Sequence, residues 1–479
     1  MVQSITTNIK TVCLTAFAML ALGTTSCQKP VPQGDYAIDI DTRYQQNEGW
    51  GVSLCWWANM CGRYDEQHVD SLINWLVSPE GLNYNIFRYN IGGGDDPKWR
   101  HCEEHHMGKG KGLRAEMEGF QDKRGGEYHW DRDQAQLRIL QMIKQKRPDA
   151  IFEAFSNSAP YWMTYSGCVG GNTPATEDNL RPEYYEDFAH YLVDVCKHIK
   201  EEYGIEFSTL DPFNEPVTDY WYCSGSQEGC HFSTSAQIDF IKVLYPILKE
   251  SGLKTVISAS DETSVAQSTI DLRAYVEAGV IDMVGQWNTH TYQGNAEEKK
   301  ELSQLVDSIG IHFWQSETGD GGRGIHGNLR MAQRLIEDVR CLKAAAWVDW
   351  QYVEVGSDQW SLVLADREWK QYTRHRNYYV RSHFSRFIPV GYTFVESSDP
   401  NSLAAVSPDG KQLVYVTLNA ENEDTRFTVN VPESAKLAAC YRTSETLTVA
   451  PSNDVVTERG IITMPMPALS IATLIFNIK

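Results

Sequence analysis

Two glutamates stand where short apolar runs give way to polar turns: Glu215 in Thr-Leu-Asp-Pro-Phe-Asn-Glu-Pro (209–216) and Glu317 in Ile-His-Phe-Trp-Gln-Ser-Glu-Thr-Gly (311–319). A buried strand that runs into a turn bearing Gly or Pro delivers its last side chain to a sheet edge, where parallel α/β barrels build their sites. Two carboxyl groups facing each other across such a mouth are the minimum machinery for cleaving a glycosidic bond. That chemistry requires no cofactor and no metal.

Positioning the pair calls for strands that share one closed sheet. From about residue 49 to 380 the chain alternates short apolar runs with helical patterns, the signature of βα units. Eight runs are present: 50–54, 85–89, 150–155, 208–214, 255–260, 283–291, 311–317 and 345–352. They predict an α/β protein, a (β/α)8 TIM barrel over 48–384. The clearest helix follows the third run, with Pro182 in its first turn and Tyr185, Phe188, Leu192, Val195 and Ile199 spaced to form one apolar stripe. Beyond 385 the pattern becomes short alternating strands such as 412–419, 426–431 and 470–477, with Ser407-Pro-Asp-Gly410 as a hairpin turn. This predicts a side β-sandwich over 385–479, with residues 36–47 supplying one further strand from the other end of the chain.

Residues 1–26 read as a leader outside the fold. Lys10 precedes an apolar stretch, Val12 to Leu22, too short to span a bilayer and shaped like a signal-peptide core. It ends in Leu22-Gly-Thr-Thr-Ser-Cys27, similar to a relaxed bacterial lipobox, which predicts lipidation at Cys27; an ordinary secretory cleavage nearby is the alternative. Both readings export the protein, with 27–35 as a tether. Any membrane contact would then run through the lipid anchor. A net charge of −20 argues against nucleic acid and acidic membrane surfaces as partners and is compatible with a neutral sugar polymer. Of the 11 cysteines, Cys13 and Cys27 fall in the leader and its end, leaving nine, an odd number. Cys223 with Cys230, and Cys55 with Cys61, are the local pairs within reach of a bridge, but the cysteines read better as core residues.

Several motifs occur in one order: Gly49-Trp-Gly-Val-Ser-Leu-Cys-Trp-Trp-Ala58, Phe87-Arg-Tyr-Asn-Ile-Gly-Gly-Gly94, Ser156-Asn-Ser-Ala-Pro-Tyr-Trp-Met163, Asn214-Glu-Pro216, His290-Thr-Tyr292, Ser316-Glu-Thr318 and the closing run 466–475. Together they resemble glycoside hydrolase family 30, most of all its endo-β-1,6-galactanase-like branch. The resemblance implies that Glu215 is the general acid/base and Glu317 the nucleophile of a retaining hydrolase acting on a β-linked polysaccharide. Like charges at close range resist joint ionisation, so Glu317 is expected ionised and Glu215 protonated at the working pH.

Supporting groups follow from the chemistry. Arg88 would hold Glu317 ionised, or else form a salt bridge at the barrel mouth. Asn214 offers an amide to the sugar 2-hydroxyl. His290 and Tyr292 alternate at one strand end, Tyr292 being the better placed to hydrogen-bond the nucleophile. Trp57, Trp162 and Trp350 are the expected sugar platforms, each being plain core if turned inward. Glu153 is either a hydroxyl binder or a satisfied charge inside the barrel. His101-Cys-Glu-Glu-His105, followed by His106, matches an inverted zinc-peptidase motif, but its surroundings carry no helical periodicity and it reads as a rim loop. Paired tryptophans and a long connection over 92–130 favour attack within a chain, and the branch that the sequence resembles implies that this chain is a β-1,6-galactan, hence an endo-acting β-1,6-galactanase. Alternatives are a β-1,6-glucanase, a xylanase, an exo-β-glycosidase or a non-catalytic carbohydrate-binding protein.

Overall fold

A computed structural model describes residues 34–94 and 117–479. The leader, Cys27 and the motif from His101 to His106 lie outside these residues. Eight parallel strands close a barrel in chain order: Gly49–Ser53, Ile86–Asn90, Ile151–Phe155, Thr209–Asp211, Val256–Ser264, Val284–Gln293, His312–Thr318 and Ala346–Asp349. Closure is made by the first strand, which pairs Gly51 with Ile86 on one side and Gly49 with Ala346 on the other. A Cβ on Gly51 would lie 2.5 Å from the Ile86 carbonyl oxygen, so only glycine permits this approach.

Helices follow each strand and cover the outside. The stripe read from Tyr185 onward forms the helix Tyr185–Tyr203, preceded by a single 3-10 turn at Pro182–Tyr184. Phe188, Leu192, Val195 and Ile199 are buried along it, and Gly204 ends it at φ 66°. The helix Ala296–Ile309 starts with a capping box between Asn295 and Glu298, satisfying backbone N–H groups at its first turn.

Strand lengths differ from the apolar runs at two places that matter for the site. The fourth strand stops at Asp211, because Pro212 has no N–H for the ladder and Asp211 Oδ1 turns to accept the Phe213 N–H at 3.3 Å. Glu215 therefore sits in the loop beyond the strand, at φ 47°, not at the strand end. The fifth strand, by contrast, continues through Asp261, Glu262 and Thr263 to Ser264.

The side domain is one ten-stranded sheet curled on itself around the strand Tyr36–Gln46. That strand pairs antiparallel with Thr393–Ser397 and parallel with Thr425–Asn430, so both ends of the chain build the sheet. Its side chains alternate between two cores. Leu413 and Tyr415 enter the interior of the curl with Phe427, Val429 and Met464. Val414 and Val416 face the other way and join the barrel's core together with Phe384 and Phe387. His383, on the last barrel helix Arg376–Ser385, is fixed between the hydroxyls of Thr443 and Thr473 at 2.9 and 2.7 Å. Shared burial of this kind couples the two units. Calorimetry is expected to show one unfolding transition; two separable transitions would contradict a shared core.

Candidate active site

The site is built on one buried cation. Arg88, in the second barrel strand, is fully buried and its guanidinium touches three acids. Nε donates to Glu153 at 2.7 Å, Nη2 to Asp261 at 2.5 Å and Nη1 to Glu317 at 3.2 Å, while the plane lies over the Phe155 ring at 4.2 Å. Glu153 is the satisfied interior charge, not a hydroxyl binder. Its carboxylate accepts from Thr209, Asn288, Ser258 and Gln286 as well as from Arg88, and it is wholly buried below the cavity.

Asp261 extends the network toward Glu215 and Glu317. Its carboxylate meets Arg88, the Ser316 hydroxyl at 2.6 Å and His290 Nε2 at 3.2 Å. Its backbone carbonyl accepts the Glu215 N–H at 2.9 Å. A single residue thus touches both the cation that steadies Glu317 and the peptide that carries Glu215. Although burial disfavours its charge, Arg88 and His290 hold its carboxyl well below the usual range.

Glu215 and Glu317 face each other with His290 between them. One ligating atom from each of the three residues lies within 4.8 Å of the others. His290 Nδ1 is 3.2 Å from Glu215 Oε1 and 3.6 Å from Glu317 Oε1. Tyr220 donates to Glu215 Oε2 at 2.6 Å and Tyr292 to Glu317 Oε1 at 3.0 Å, so each carboxyl has its own phenol. Among the described residues this is the one histidine–carboxylate trio close enough to hold a metal, and its atoms are engaged with one another.

Burial would keep His290 neutral, but Glu317 and Asp261 overcome it and raise its pKa well above the usual value. Burial pushes Glu317 up to about 7, with His290 and Arg88 opposing and Glu215 adding to the rise. Glu317 is thus the carboxyl of the pair whose charge burial opposes most directly.

Above the pair opens a cavity of about 510 Å³. Asn214 lines it, and its Oδ1 has no partner among the described residues. Trp350 lines it too, packed edge-on against Trp56 at 5.6 Å. Trp57 does not. It begins the short helix Trp57–Cys61, which turns it into the core, where its indole N–H binds the Ser53 carbonyl and its ring meets Tyr352. Trp56 takes the place in the cavity wall expected of Trp57. Trp162 is likewise not a lining residue: the 3-10 turn Tyr161–Met163 folds it against Tyr184, and its N–H binds the Gln121 carbonyl. Cys55, Cys61 and Cys230 are buried free thiols, as the reading of these cysteines as core residues expects, and neither local pair is bridged.

Sequence reasoning missed Asp261, Tyr220, Trp221, Thr263 and Trp360. Tyr220 and Trp221 come from the loop after Glu215, where the Trp221 indole N–H anchors on the Glu215 carbonyl at 2.9 Å. Trp360 is 37% exposed and stands 6.3 Å from Tyr292. An indole within Gly-Ser-Asp-Gln-Trp-Ser, a polar stretch, was a usable signal.

A parallel eight-stranded barrel with two juxtaposed glutamates and an aromatic-walled cavity defines a two-carboxylate glycoside hydrolase. Residues 34–274 match the family model described as O-Glycosyl hydrolase family 30. An endo-β-1,6-galactanase from Hypocrea rufa is 30% identical over 395 residues, 80% of each chain. An exo-β-1,6-galactobiohydrolase from Bifidobacterium longum subsp. longum is 24% identical over 83% of this chain and 35% of its own length. Among solved structures, a conserved exported protein from Bacteroides fragilis superposes with TM-score 0.78 at 18% identity, covering 92% of this chain and 99% of the other. The chain belongs to glycoside hydrolase family 30 and is an O-glycosyl hydrolase.

Burial favours the acid form of Glu317 up to about pH 7, so a reaction that draws on its carboxylate should lose kcat/KM as pH drops through about 7. In His290→Gln a positive charge 3.6 Å from Glu317 is gone, the acid form of Glu317 is favoured, and the midpoint of that limb should rise by roughly one unit or more. A pH–rate profile with an unmoved midpoint would contradict the electrostatic role of His290.

Proposed function

We propose that the protein cleaves β-1,6-linked galactan within the chain, with retention at the anomeric carbon. The observation that carries the mechanism is the closeness of the two carboxyls, with ligating atoms within 4.8 Å. Retaining enzymes hold their carboxyls about 5 Å apart, whereas inverting ones leave room for a water at about 6.5–9.5 Å. In the first step Glu317 attacks the anomeric carbon, the bond to the leaving oxygen breaks, and Glu215 supplies its proton. In the second, Glu215 takes a proton from water, water attacks the same carbon, and the glycosyl–Glu317 ester breaks.

Tyr292 and Arg88 hold the nucleophile's two oxygens, fixing the one that attacks. Tyr220 and His290 hold Glu215 in the same way, one on each oxygen. Support for galactan comes from the relative named as an endo-β-1,6-galactanase. Trp56, Trp350 and Trp360 supply flat apolar surface for pyranose rings, which suits a neutral polymer.

Glu317→Gln should lower turnover by at least about a thousandfold with an unchanged fold, and early product followed by NMR should keep the β-anomer. Oligomers should appear first from β-1,6-galactan. An α-anomer as first product would overturn the mechanism; faster cleavage of β-1,6-glucan or xylan, or release of monosaccharide alone, would move the substrate assignment.

The same proposal places the enzyme outside the cytoplasm, tethered by lipid at Cys27, on the strength of the apolar segment that ends just before it. Cys27→Ser should release the protein from membrane fractions. Unchanged fractionation, or a wild-type N-terminus elsewhere, would contradict the anchor.

A further inference from the structure

Two consecutive residues of the fifth barrel strand hold the backbone that carries Glu215. The Asp261 carbonyl accepts the Glu215 N–H at 2.9 Å, and the Glu262 carboxyl accepts the Val217 N–H at 3.1 Å. Pro216 between them has no N–H to place, and its carbonyl accepts the Phe232 N–H at 3.0 Å. Glu215 itself sits at φ 47°, a left-handed conformation that a glutamate keeps only where its surroundings enforce it. Glu262 is fully buried and does not line the cavity; its partners belong to this loop and to the helices Thr234–Glu250 and Val265–Glu277.

A second carboxyl lies against Glu262. Asp271, on Val265–Glu277, is also fully buried, and its side chain is hydrogen-bonded to that of Glu262. Two carboxylates at this range in the interior cannot both be charged, so one of them holds a proton. The neighbouring donors show which. Asp271 Oδ1 takes the Thr234 hydroxyl at 2.6 Å and the Gln267 amide at 2.9 Å, whereas its buried Oδ2 has no partner among the described residues unless Glu262 supplies the proton. Gln237, whose Oε1 accepts from the Tyr275 hydroxyl, directs its amide to the Phe232 carbonyl at 3.1 Å and to Glu262 Oε1 at 3.4 Å. Asp271 and Tyr275 face the pair from one helix, Thr234 and Gln237 from the other, and none of these four is a cation. Burial raises the pKa of both acids, but the contact between them raises Glu262 further and lowers Asp271, in keeping with a proton on Glu262.

We infer that Glu262 works as a neutral carboxylic acid, donating its proton to Asp271 Oδ2 and accepting the Val217 N–H, and that it is a positioning residue for Glu215. The inference rests on the two-glutamate reading of the site and adds to it what keeps the acid/base in place. A carboxylic acid both donates and accepts, which a carboxylate cannot, so one side chain joins the helix Val265–Glu277 to the loop without adding a second buried charge. The raised pKa fixes the sign of the pH dependence: the brace is complete below the ordinary carboxyl range and is lost as pH rises through the raised value of Glu262.

Two variants test this. Glu262→Gln keeps a donor and an acceptor in the same shape and cannot ionise, whereas Glu262→Met keeps the volume and removes both. On a β-1,6-galacto-oligosaccharide, whose leaving oxygen needs the proton of Glu215, kcat/KM should fall about tenfold or more in Glu262→Met. On an aryl β-galactobioside with an acidic phenol as leaving group, which needs no such proton, it should stay within about twofold. Glu262→Gln should restore both values to within about twofold of wild type, and its thermal stability should rise relative to wild type as the pH is raised, because it has no proton to lose. Equal losses on the two substrates in Glu262→Met, or a Glu262→Gln variant as impaired as Glu262→Met, would overturn the proposal. So would parallel curves of stability against pH for Glu262→Gln and wild type, a measurement that needs no activity and decides the matter if Glu262→Met does not fold. Glu215→Ala should show the same split between substrates to a greater degree. Equal loss on both substrates in that variant would overturn Glu215 as the acid/base, and the positioning role with it, while leaving the stability curves as they are.

Discussion

Arg88 is the interaction on which the site depends. A guanidinium taken fully out of water is tolerated only if carboxylates and dipoles replace its hydration. Glu153, Asp261 and Glu317 do so from three different barrel strands, and the Phe155 ring covers its face. The barrel interior is polar in consequence. Thr209, Ser258, Gln286 and Asn288 occupy positions where a barrel lacking this charge would carry branched apolar residues, because Glu153 needs their hydrogen bonds. Removing Arg88 would leave several buried carboxylates facing one another, so fold and catalytic geometry share this residue.

The frame of the protein was legible because burial shows in the sequence. Eight runs marked eight strands, and the change from helical to alternating pattern marked the side domain. Glu215 and Glu317, which the structure brings together, stood out because a polar residue at the end of an apolar run is out of place unless something uses it. The rest of the site was set by rotations and contacts that periodicity does not encode. Trp56 and Trp57 are adjacent and alike, and only the start of a helix at Trp57 decides which indole turns to the core. Asp261 escaped because its strand stays buried beyond Ser260 while its residues become polar, so an apolar-run reading ends too early. Tyr220 and Trp360 lie on loops whose positions come from partners far along the chain.

Electrostatics explains why so many acids converge. Arg88 and His290 are the cations of the cluster; Glu153, Asp261, Glu215 and Glu317 are acids around them. Nearby Asp211 lies deeper and accepts from Asn288; burial, with Asp261 and Glu153 close by, raises its pKa well above the usual range, so it adds little negative charge. The remaining acids still outnumber the cations. The raised pKa of Glu317 relieves part of that excess near neutrality.

An oxocarbenium-like transition state brings the missing positive charge. Oxygens fixed by Arg88, Tyr292, Tyr220 and His290 before the substrate arrives need not reorganise as that charge develops, so their field acts on the transition state more than on the neutral ground state. The raised pKa of Glu317 is then a sign of the same design: a carboxylate that burial destabilises gains most from a cation forming beside it. Arg88 and His290 limit how far this goes, since without them Glu317 would remain protonated over a wider pH range.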